Sequence, residues 1–364
     1  MAAAAVCLGT AAMAQEVYNY EFTDIKVNPA TSVKNQARTG TCWCFSTISF
    51  LESELLRMGK GEFDFSEMYI VRQNYNRRMD DNTMRGGKGN IGEGSLAHMC
   101  TYAVDKFGLV PQEAYPGINY DSKTHHHTRL QSYVHAISEQ AVENKERIPA
   151  EIKEGLFDAF LGKVPQTFTY NGKEYTPQTF YKSLGLNMND YVEITSFSHQ
   201  PFYELVPLEI PDNWDHAKFY NVPLDDLIAI MDYAIEKGYT FVWDGDVSER
   251  SYDFNHNKIA LNTAVDLKAG KVSERAEEIP VTQYTRQRDF ENFTTTDDHL
   301  MHITGLAKDQ EGVKYYITKN SWGYERNGTG YMHMSENYVK AKTVSILVHK
   351  NSIPKEIKTK LGIK

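Results

Sequence analysis

Two separated groups of reactive residues constrain how this chain of 364 residues can fold. Gln36 and Cys42 lie near its start, and His302 and Asn320 lie near its end. A cysteine thiolate attacks carbonyl carbon, a histidine moves the proton, an asparagine orients the histidine ring, and a glutamine amide stabilises an oxyanion. The sequence therefore predicts nucleophilic catalysis at a site to which both ends of the chain contribute.

The cysteine lies at the start of a predicted helix. Thr41 is a candidate cap, and Phe45, Ile48 and Met58 follow it with helical apolar spacing. The partial positive charge of a helix N-terminus favours a thiolate over a thiol. Cys44 is turned from Cys42 by about 200° on such a helix, so we expect it to pack into the core.

The general base has two candidates. His302 opens the strand-like run His302-Ile303-Thr304-Gly305, whereas His299 follows Asp297-Asp298 in a more loop-like context. We therefore expect His302 to be the base and keep His299 as the alternative. Asn320 is followed by Ser321-Trp322-Gly323, whose indole could shield an Asn–His hydrogen bond from water.

The regular elements differ between the two ends of the chain. Helices are predicted over 96–107, 150–161 and 224–237, a loop over 80–95, and a strand over 239–243. Short strands with turns between them are predicted over 302–306, 314–319, 330–334 and 344–348. The last quarter is therefore expected to form an antiparallel sheet.

These segments resemble the papain superfamily and, within it, the bleomycin hydrolase or aminopeptidase C family. The superfamily match is carried by Asn35-Gln36, Cys42-Trp43 and Asn320-Ser321-Trp322-Gly323. The narrower match is carried by Lys106-Phe107-Gly108-Leu109-Val110-Pro111, Pro165-Gln166-Thr167-Phe168, and Trp243 with Gly245-Asp246-Val247. The resemblance covers most of residues 30–355.

The resemblance implies an α+β fold of the papain type. It has a helical lobe, an antiparallel sheet lobe and a large, mainly helical insertion at about 119–289, all within a peptidase domain of residues 15–364. It also implies a cysteine peptidase, and an aminopeptidase in particular, that acts on peptides, forms homo-oligomers and needs no cofactor or metal. Catalysis would use Cys42, His302, Asn320 and Gln36.

One departure from the family pattern leaves alternative functions open. Family members place a C-terminal arm in the cleft, where it holds the amino end of the substrate, and here only Lys355 to Lys364 follow Pro354. A cysteine endopeptidase with an open cleft is therefore an alternative. A catalytically silent peptide-binding protein of the same fold is a second one.

Charge and the N-terminal segment bear on partners and location. A net charge of −9 and a pI near 5.8 argue against nucleic-acid binding, and no apolar run is long enough to span a membrane.

Residues 1–14 form an apolar run ending in Ala12-Met13-Ala14, which predicts a signal peptide and export to a periplasmic or extracellular location. Whether Cys44 and Cys100 pair is left open.

Local composition also predicts the structure of three polar segments. His125-His126-His127 is expected to be a solvated loop rather than a metal site, and Asp244-Gly245-Asp246 a turn rather than a calcium loop. Gly92-Glu93-Gly94 fits the wall of a substrate cleft and an ordinary surface loop equally well.

Overall fold

A computed structural model describes residues 18–270 and 274–364 of the chain. The predicted signal peptide lies outside the described residues. The described helices are α1 (Cys42–Arg57), α2 (Glu67–Met84), α3 (Ala97–Phe107), α4 (Thr128–Asn144), α5 (Ala150–Leu161), α6 (Pro177–Leu184), α7 (Leu224–Glu236), α8 (Gln283–Glu291), α9 (Glu336–Lys342) and α10 (Lys355–Lys360). None of these is both long and apolar enough to cross a bilayer.

The strands form one large sheet and one small hairpin. They are β1 (Phe22–Val27), β2 (Phe168–Tyr170), β3 (Lys173–Tyr175), β4 (Tyr191–Thr195), β5 (Leu205–Pro207), β6 (Lys218–Asn221), β7 (Phe241–Gly245), β8 (Tyr252–Asp253), β9 (Ile259–Ala260), β10 (His299–Asp309), β11 (Lys314–Lys319), β12 (Tyr331–Ser335) and β13 (Thr343–His349). The large sheet runs β5-β6-β4-β13-β7-β10-β11-β12-β9-β8, with β1 also pairing with β10. Most neighbours are antiparallel, but β4–β6 and β12–β9 are parallel.

The sheet separates two apolar cores because successive side chains of a strand point to opposite faces. Val242, Leu300 and Leu347 belong to the core that contains α1, α2 and α3. Their neighbours Trp243, Met301, Ile346 and Val348 belong to the core that contains α7. The helical lobe therefore covers one face of the central strands, and α7 covers the other.

The predicted α+β architecture with a helical lobe and a sheet lobe is confirmed. The helix over 150–161 and the strand over 314–319 have the predicted bounds, and α3 ends at Gly108, which has a φ of 84°. The range 119–289 contributes more than helices, because its strands β4 and β7 pair with β13 and β10. The bounds of the insertion stay a prediction.

Helix α2 was not predicted from the sequence, and it extends into the predicted loop over 80–95. Its capping signal is present, since the Ser66 hydroxyl accepts a hydrogen bond from the Tyr69 N–H. Its apolar stripe is interrupted because Arg72, Asn74 and Arg78 are themselves buried. Polar side chains on a buried face remove the periodicity by which such a helix is recognised.

Two predicted surface segments are buried instead. His125 and His127 pack inside the helical lobe, where His127 Nδ1 lies 3.0 Å from the Tyr75 hydroxyl, so the prediction of a solvated loop is wrong. Asp244 and Asp246 are also buried, and Asp244 lies within β7, so the prediction of a turn there is wrong. In both cases long-range packing covers polar residues that local composition would place in water.

The residues after Pro354 form a packed helix. In α10, Ile357 is buried in the core of α7, and Leu361 joins it there just after the helix ends. Lys360 Nζ lies 3.2 Å from the Tyr203 hydroxyl and 3.7 Å from Asp226, a residue in the first turn of α7. This described segment therefore lies on the face of the sheet opposite α1.

Candidate active site

Cys42 is the first residue of α1 and is 7% exposed. Thr41 precedes it, but the Thr41 hydroxyl pairs with that of Thr39 at 2.5 Å and does not cap the helix. The first N–H groups of the helix therefore have no partner within it and face the site. Burial raises the pKa of the Cys42 thiol to about 12, and the Leu300 backbone N–H, which donates toward the sulfur, opposes that rise.

His299, the first residue of β10, is paired with Asn320. Its Nε2 lies 2.8 Å from Asn320 Oδ1, which also accepts the Ser321 N–H at 2.7 Å. Asn320 Nδ2 donates to the Tyr252 hydroxyl at 3.2 Å, which fixes the orientation of the amide. Because an amide oxygen only accepts, Nε2 carries the proton of the neutral ring and Nδ1 is left as the acceptor.

Trp322 covers this pair. Its ring centroid lies 4.8 Å from that of His299 with an interplanar angle of 31°. The indole limits the access of water to the His299–Asn320 hydrogen bond, as the sequence predicted for an Asn–His pair. Burial lowers the pKa of His299 to about 4, opposed by the hydrogen bond to Asn320. Burial therefore favours the uncharged form of both the His299 imidazole and the Cys42 thiol.

His302 does not pair with Asn320, and that part of the sequence prediction is wrong. Its Nδ1 lies 2.9 Å from the Ser49 hydroxyl, and burial lowers its pKa well below the usual range. Ser49 lies seven residues after Cys42, so it is about 10 Å farther along α1 on the same face. His302 therefore lies beneath the site, between α1 and the sheet.

The strand geometry explains why His299, and not His302, contacts Asn320. The strand begins at His299 and not at His302, as its pairing of Leu300 with Asp244 shows. Residues three apart on a strand face opposite sides of the sheet, so only one of the two rings can reach Asn320. The buried run Leu300, Met301 and Ile303 was the sequence signal for the earlier start.

Gln36 lies beside the loop that carries Asn320. Its Oε1 accepts the Ser321 hydroxyl at 2.6 Å, and its backbone N–H donates to the Ser321 carbonyl at 2.8 Å. Its Nε2 donates one hydrogen to the Thr39 carbonyl at 2.7 Å. The second hydrogen of this amide has no partner among the described residues, and the role of Gln36 as an oxyanion donor stays a prediction.

The segment Gly92-Glu93-Gly94 packs against the residues that precede the helix. The Glu93 carboxylate accepts the Gly40 N–H at 2.6 Å, and the Glu93 carbonyl accepts the indole N–H of Trp43 at 3.1 Å. A Cβ atom on Gly94 would lie 2.1 Å from Asp212 Oδ2, so no larger side chain fits there. Of the two sequence readings, this arrangement favours the wall of the cleft.

Cys44 packs into the core as predicted. It is fully buried, and its sulfur donates to the Glu67 carbonyl at 3.3 Å. Cys42, Cys44 and Cys100 are free cysteines in the described structure, and Cys100 is also fully buried. The turn of about 200° between positions 42 and 44 of a helix accounts for their different surroundings.

Comparisons with known proteins identify the family of this chain. The Peptidase C1-like family matches residues 88–363. Aminopeptidase W of Lactobacillus delbrueckii subsp. lactis is 24% identical over 90% of this chain and 82% of its own length. Aminopeptidase E of Lactobacillus helveticus is 25% identical over 88% and 81%, and aminopeptidase C of Lactococcus lactis subsp. cremoris is 25% identical over 92% and 83%.

A solved structure has the same fold. PepW from Lactobacillus rhamnosis HN001 superposes with a TM-score of 0.70 over 93% of this chain and 84% of its own, at 19% identity. The resemblance to the aminopeptidase C family of the papain superfamily is thereby confirmed. Because the family match spans most of the chain and includes both His299 and Asn320, this protein belongs to the Peptidase C1-like family.

Proposed function

We propose that this protein is a cysteine aminopeptidase in which Cys42 is the nucleophile, His299 is the general base and Asn320 orients the base. The observation that carries the assignment of roles is the 2.8 Å contact between His299 Nε2 and Asn320 Oδ1. It leaves Nδ1 as the acceptor on a ring whose chain neighbour, Leu300, donates its N–H toward the Cys42 sulfur. His302, buried against Ser49, has no part in this proposal.

The relatives support an action at the amino end of peptides. Proteins that match about nine-tenths of this chain are named aminopeptidases W, E and C. The substrate class we propose is therefore peptides with a free amino terminus.

The chemistry follows from the positions of the side chains. The Cys42 thiol gives its proton to His299 Nδ1, and the thiolate attacks the peptide carbonyl carbon. The free hydrogen of Gln36 Nε2 and the Cys42 backbone N–H donate to the resulting oxyanion. The imidazolium then protonates the leaving amine, and His299 next accepts a proton from the water that hydrolyses the thioester. No step requires a metal or a cofactor.

The test of the nucleophile uses two neighbouring cysteines. Cys42→Ala should abolish hydrolysis of a fluorogenic peptide, whereas Cys44→Ala should retain most of it because its sulfur lies in the core. The test of the reaction type compares a peptide bearing a free amine with its N-acetylated form. Equal rates on both would contradict the aminopeptidase assignment and support the endopeptidase alternative.

Export and self-association are further parts of this proposal. Export rests on the Ala12-Met13-Ala14 pattern, and N-terminal sequencing of protein from its native compartment should begin at Gln15. Recovery of the intact N-terminus from cytoplasmic protein would contradict it. Homo-oligomerisation rests on the family resemblance, and sedimentation equilibrium should show a mass above the 41.6 kDa of one chain.

A further inference from the structure

Two neighbouring carboxyl groups, those of Asp244 and Asp297, lie near the start of β10, the strand that begins with His299. Asp244 is paired with Leu300 across β7 and β10, and its side chain is on the face of the sheet that carries Leu300 and looks toward α1. Asp297 lies two residues before His299 and within hydrogen-bonding reach of Asp244. Besides burial, the carboxylates of Asp297, Asp212 and Asp244 raise the pKa of the Cys42 thiol.

This pair lacks a cation. Asp244 is 2% exposed, and its Oδ2 accepts the Ser345 hydroxyl at 3.0 Å, but among the described residues its Oδ1 has no partner other than the Asp297 carboxyl group. The buried Oδ2 atom of Asp297 likewise has no other partner in the described part of the chain. Asp212 differs, since Arg78 lies 3.8 Å from it and Asn90 donates to it at 3.3 Å.

Asp297 also borders an open pocket of about 460 Å³. Ile210, Pro211, Phe290 and Phe293 supply its apolar surface. Two other carboxylates line it, but each already has a donor: Glu209 accepts from Gln200 at 2.7 Å, and Glu291 accepts from Gln287 at 2.8 Å. The pocket therefore combines an apolar surface with one carboxyl group, that of Asp297, which has no hydrogen-bond donor apart from Asp244 among the described residues.

Two neighbouring carboxyl groups without a cation beside them are unfavourable, and a ligand cation that supplies hydrogen bonds would remove the penalty. The α-ammonium of a peptide has a positive charge and three donors. We propose that Asp297 binds the α-ammonium group of the peptide substrate. Asp244 holds the Asp297 carboxyl group in position, and an apolar side chain near the substrate's amino end occupies the adjoining pocket.

This inference rests on the proposed aminopeptidase function. It assigns recognition of the substrate's amino end to residues of the sheet lobe. The described C-terminal residues are placed differently, with Ile357 and Leu361 packed in the core of α7. The ammonium group is thus recognised by residues that directly precede the base, so recognition and catalysis share the start of β10.

The experiment compares Asp297→Asn with Asp298→Asn on one leucine-initiated fluorogenic peptide, free and N-acetylated. Asp298 is a matched control because it is exposed and accepts the Thr296 hydroxyl at 3.0 Å. Loss of a charge-assisted hydrogen bond should lower kcat/KM for the free peptide about 10- to 100-fold in Asp297→Asn, mainly through KM. The acetylated peptide should be unaffected, and Asp298→Asn should keep the wild-type ratio.

An unchanged ratio of free to acetylated kcat/KM in a folded Asp297→Asn variant would overturn the inference while leaving the aminopeptidase assignment intact. Absence of hydrolysis by the wild type would instead contradict the proposed function. In that event, calorimetric binding of the two peptides to Cys42→Ala, with and without Asp297→Asn, still tests whether Asp297 binds the ammonium group. Preference for the free peptide should disappear in the double variant, and its persistence would refute the role of Asp297. Asp244→Asn serves as the second variant if Asp297→Asn does not fold.

Discussion

His299 and His302 lie three positions apart on β10, and the alternation of the strand turns them to opposite faces of the sheet. His299 reaches Asn320 at 2.8 Å, whereas His302 reaches Ser49 at 2.9 Å beneath α1. One ring is therefore bonded to Asn320, as the proposed proton transfer requires, and the other is part of the packing between the lobes.

We predict opposite effects for alanine at these two residues. His299→Ala should lower kcat by about 10²- to 10⁴-fold, the usual effect of removing a general base. His302→Ala should keep kcat within a few-fold and lower the free energy of unfolding by about 1–3 kcal/mol, because it removes a buried hydrogen-bonding group. Steady-state kinetics and denaturant unfolding of both variants check this. A folded but inactive His302→Ala protein would restore His302 as the base.

At the scale of elements, His98 joins α3 to β4 and to the segment between β5 and β6. Its backbone N–H donates to Glu193 Oε1 at 2.8 Å, and its Nε2 lies 2.9 Å from Asp215 Oδ1. Burial by itself would lower the pKa of His98, but the Asp215 carboxylate bonded to its Nε2 and the Glu193 carboxylate 3.6 Å from its Nδ1 outweigh burial and raise the pKa to about 9. The imidazolium is therefore the form that holds these three elements together.

This contact predicts a loss of stability at alkaline pH. The contribution of His98 is fully present below its unfolded pKa of about 6.5 and is lost as pH rises toward about 9. The loss should amount to about 3 kcal/mol in the free energy of unfolding. Urea titrations at pH 6.5 and pH 9 should show this difference in the wild type and a much smaller one in His98→Gln. Equal pH dependence in the two proteins would rule out His98 as its source.

The C-terminal helix α10 provides a second prediction at this scale. Because Leu361 is buried in the core of α7, Leu361→Ala should lower the free energy of unfolding by about 2–5 kcal/mol. It should leave the ratio of free to acetylated kcat/KM unchanged, since the described helix packs away from α1. Lys355→Ala, an exposed position on the same helix, is the control. A rise in activity on acetylated peptides in Leu361→Ala would instead indicate that this segment limits cleavage to the amino end.

At the scale of the whole molecule, the two cores share one sheet. The middle of the chain supplies β4 and β7, which pair with β13 and β10 from its last quarter. Each central strand contributes alternate residues to both cores, so neither core can be exposed without disturbing the other.

We therefore predict that the lobes unfold together. Differential scanning calorimetry should give one transition, and deletion of residues 119–289 should prevent folding because it removes β4 and β7, which pair with β13 and β10. Two well-separated transitions would show that the lobes are independent units. Cys42→Ala is a suitable background for this measurement because it excludes self-digestion.

Local sequence determined a large part of this protein by itself. Cys42 begins a helix, Asn320 directly follows the predicted strand β11, and the bounds of α5 and β11 follow from apolar periodicity within each segment. Only the tertiary structure decided which histidine meets Asn320, because the start and register of β10 depend on its pairing with β7. It also decided that Asp244 is buried beside Asp297, since a strand in the middle of a sheet is covered by elements far away in the chain. Period and capping are properties of neighbouring residues, whereas register and burial are set by residues that are distant in sequence.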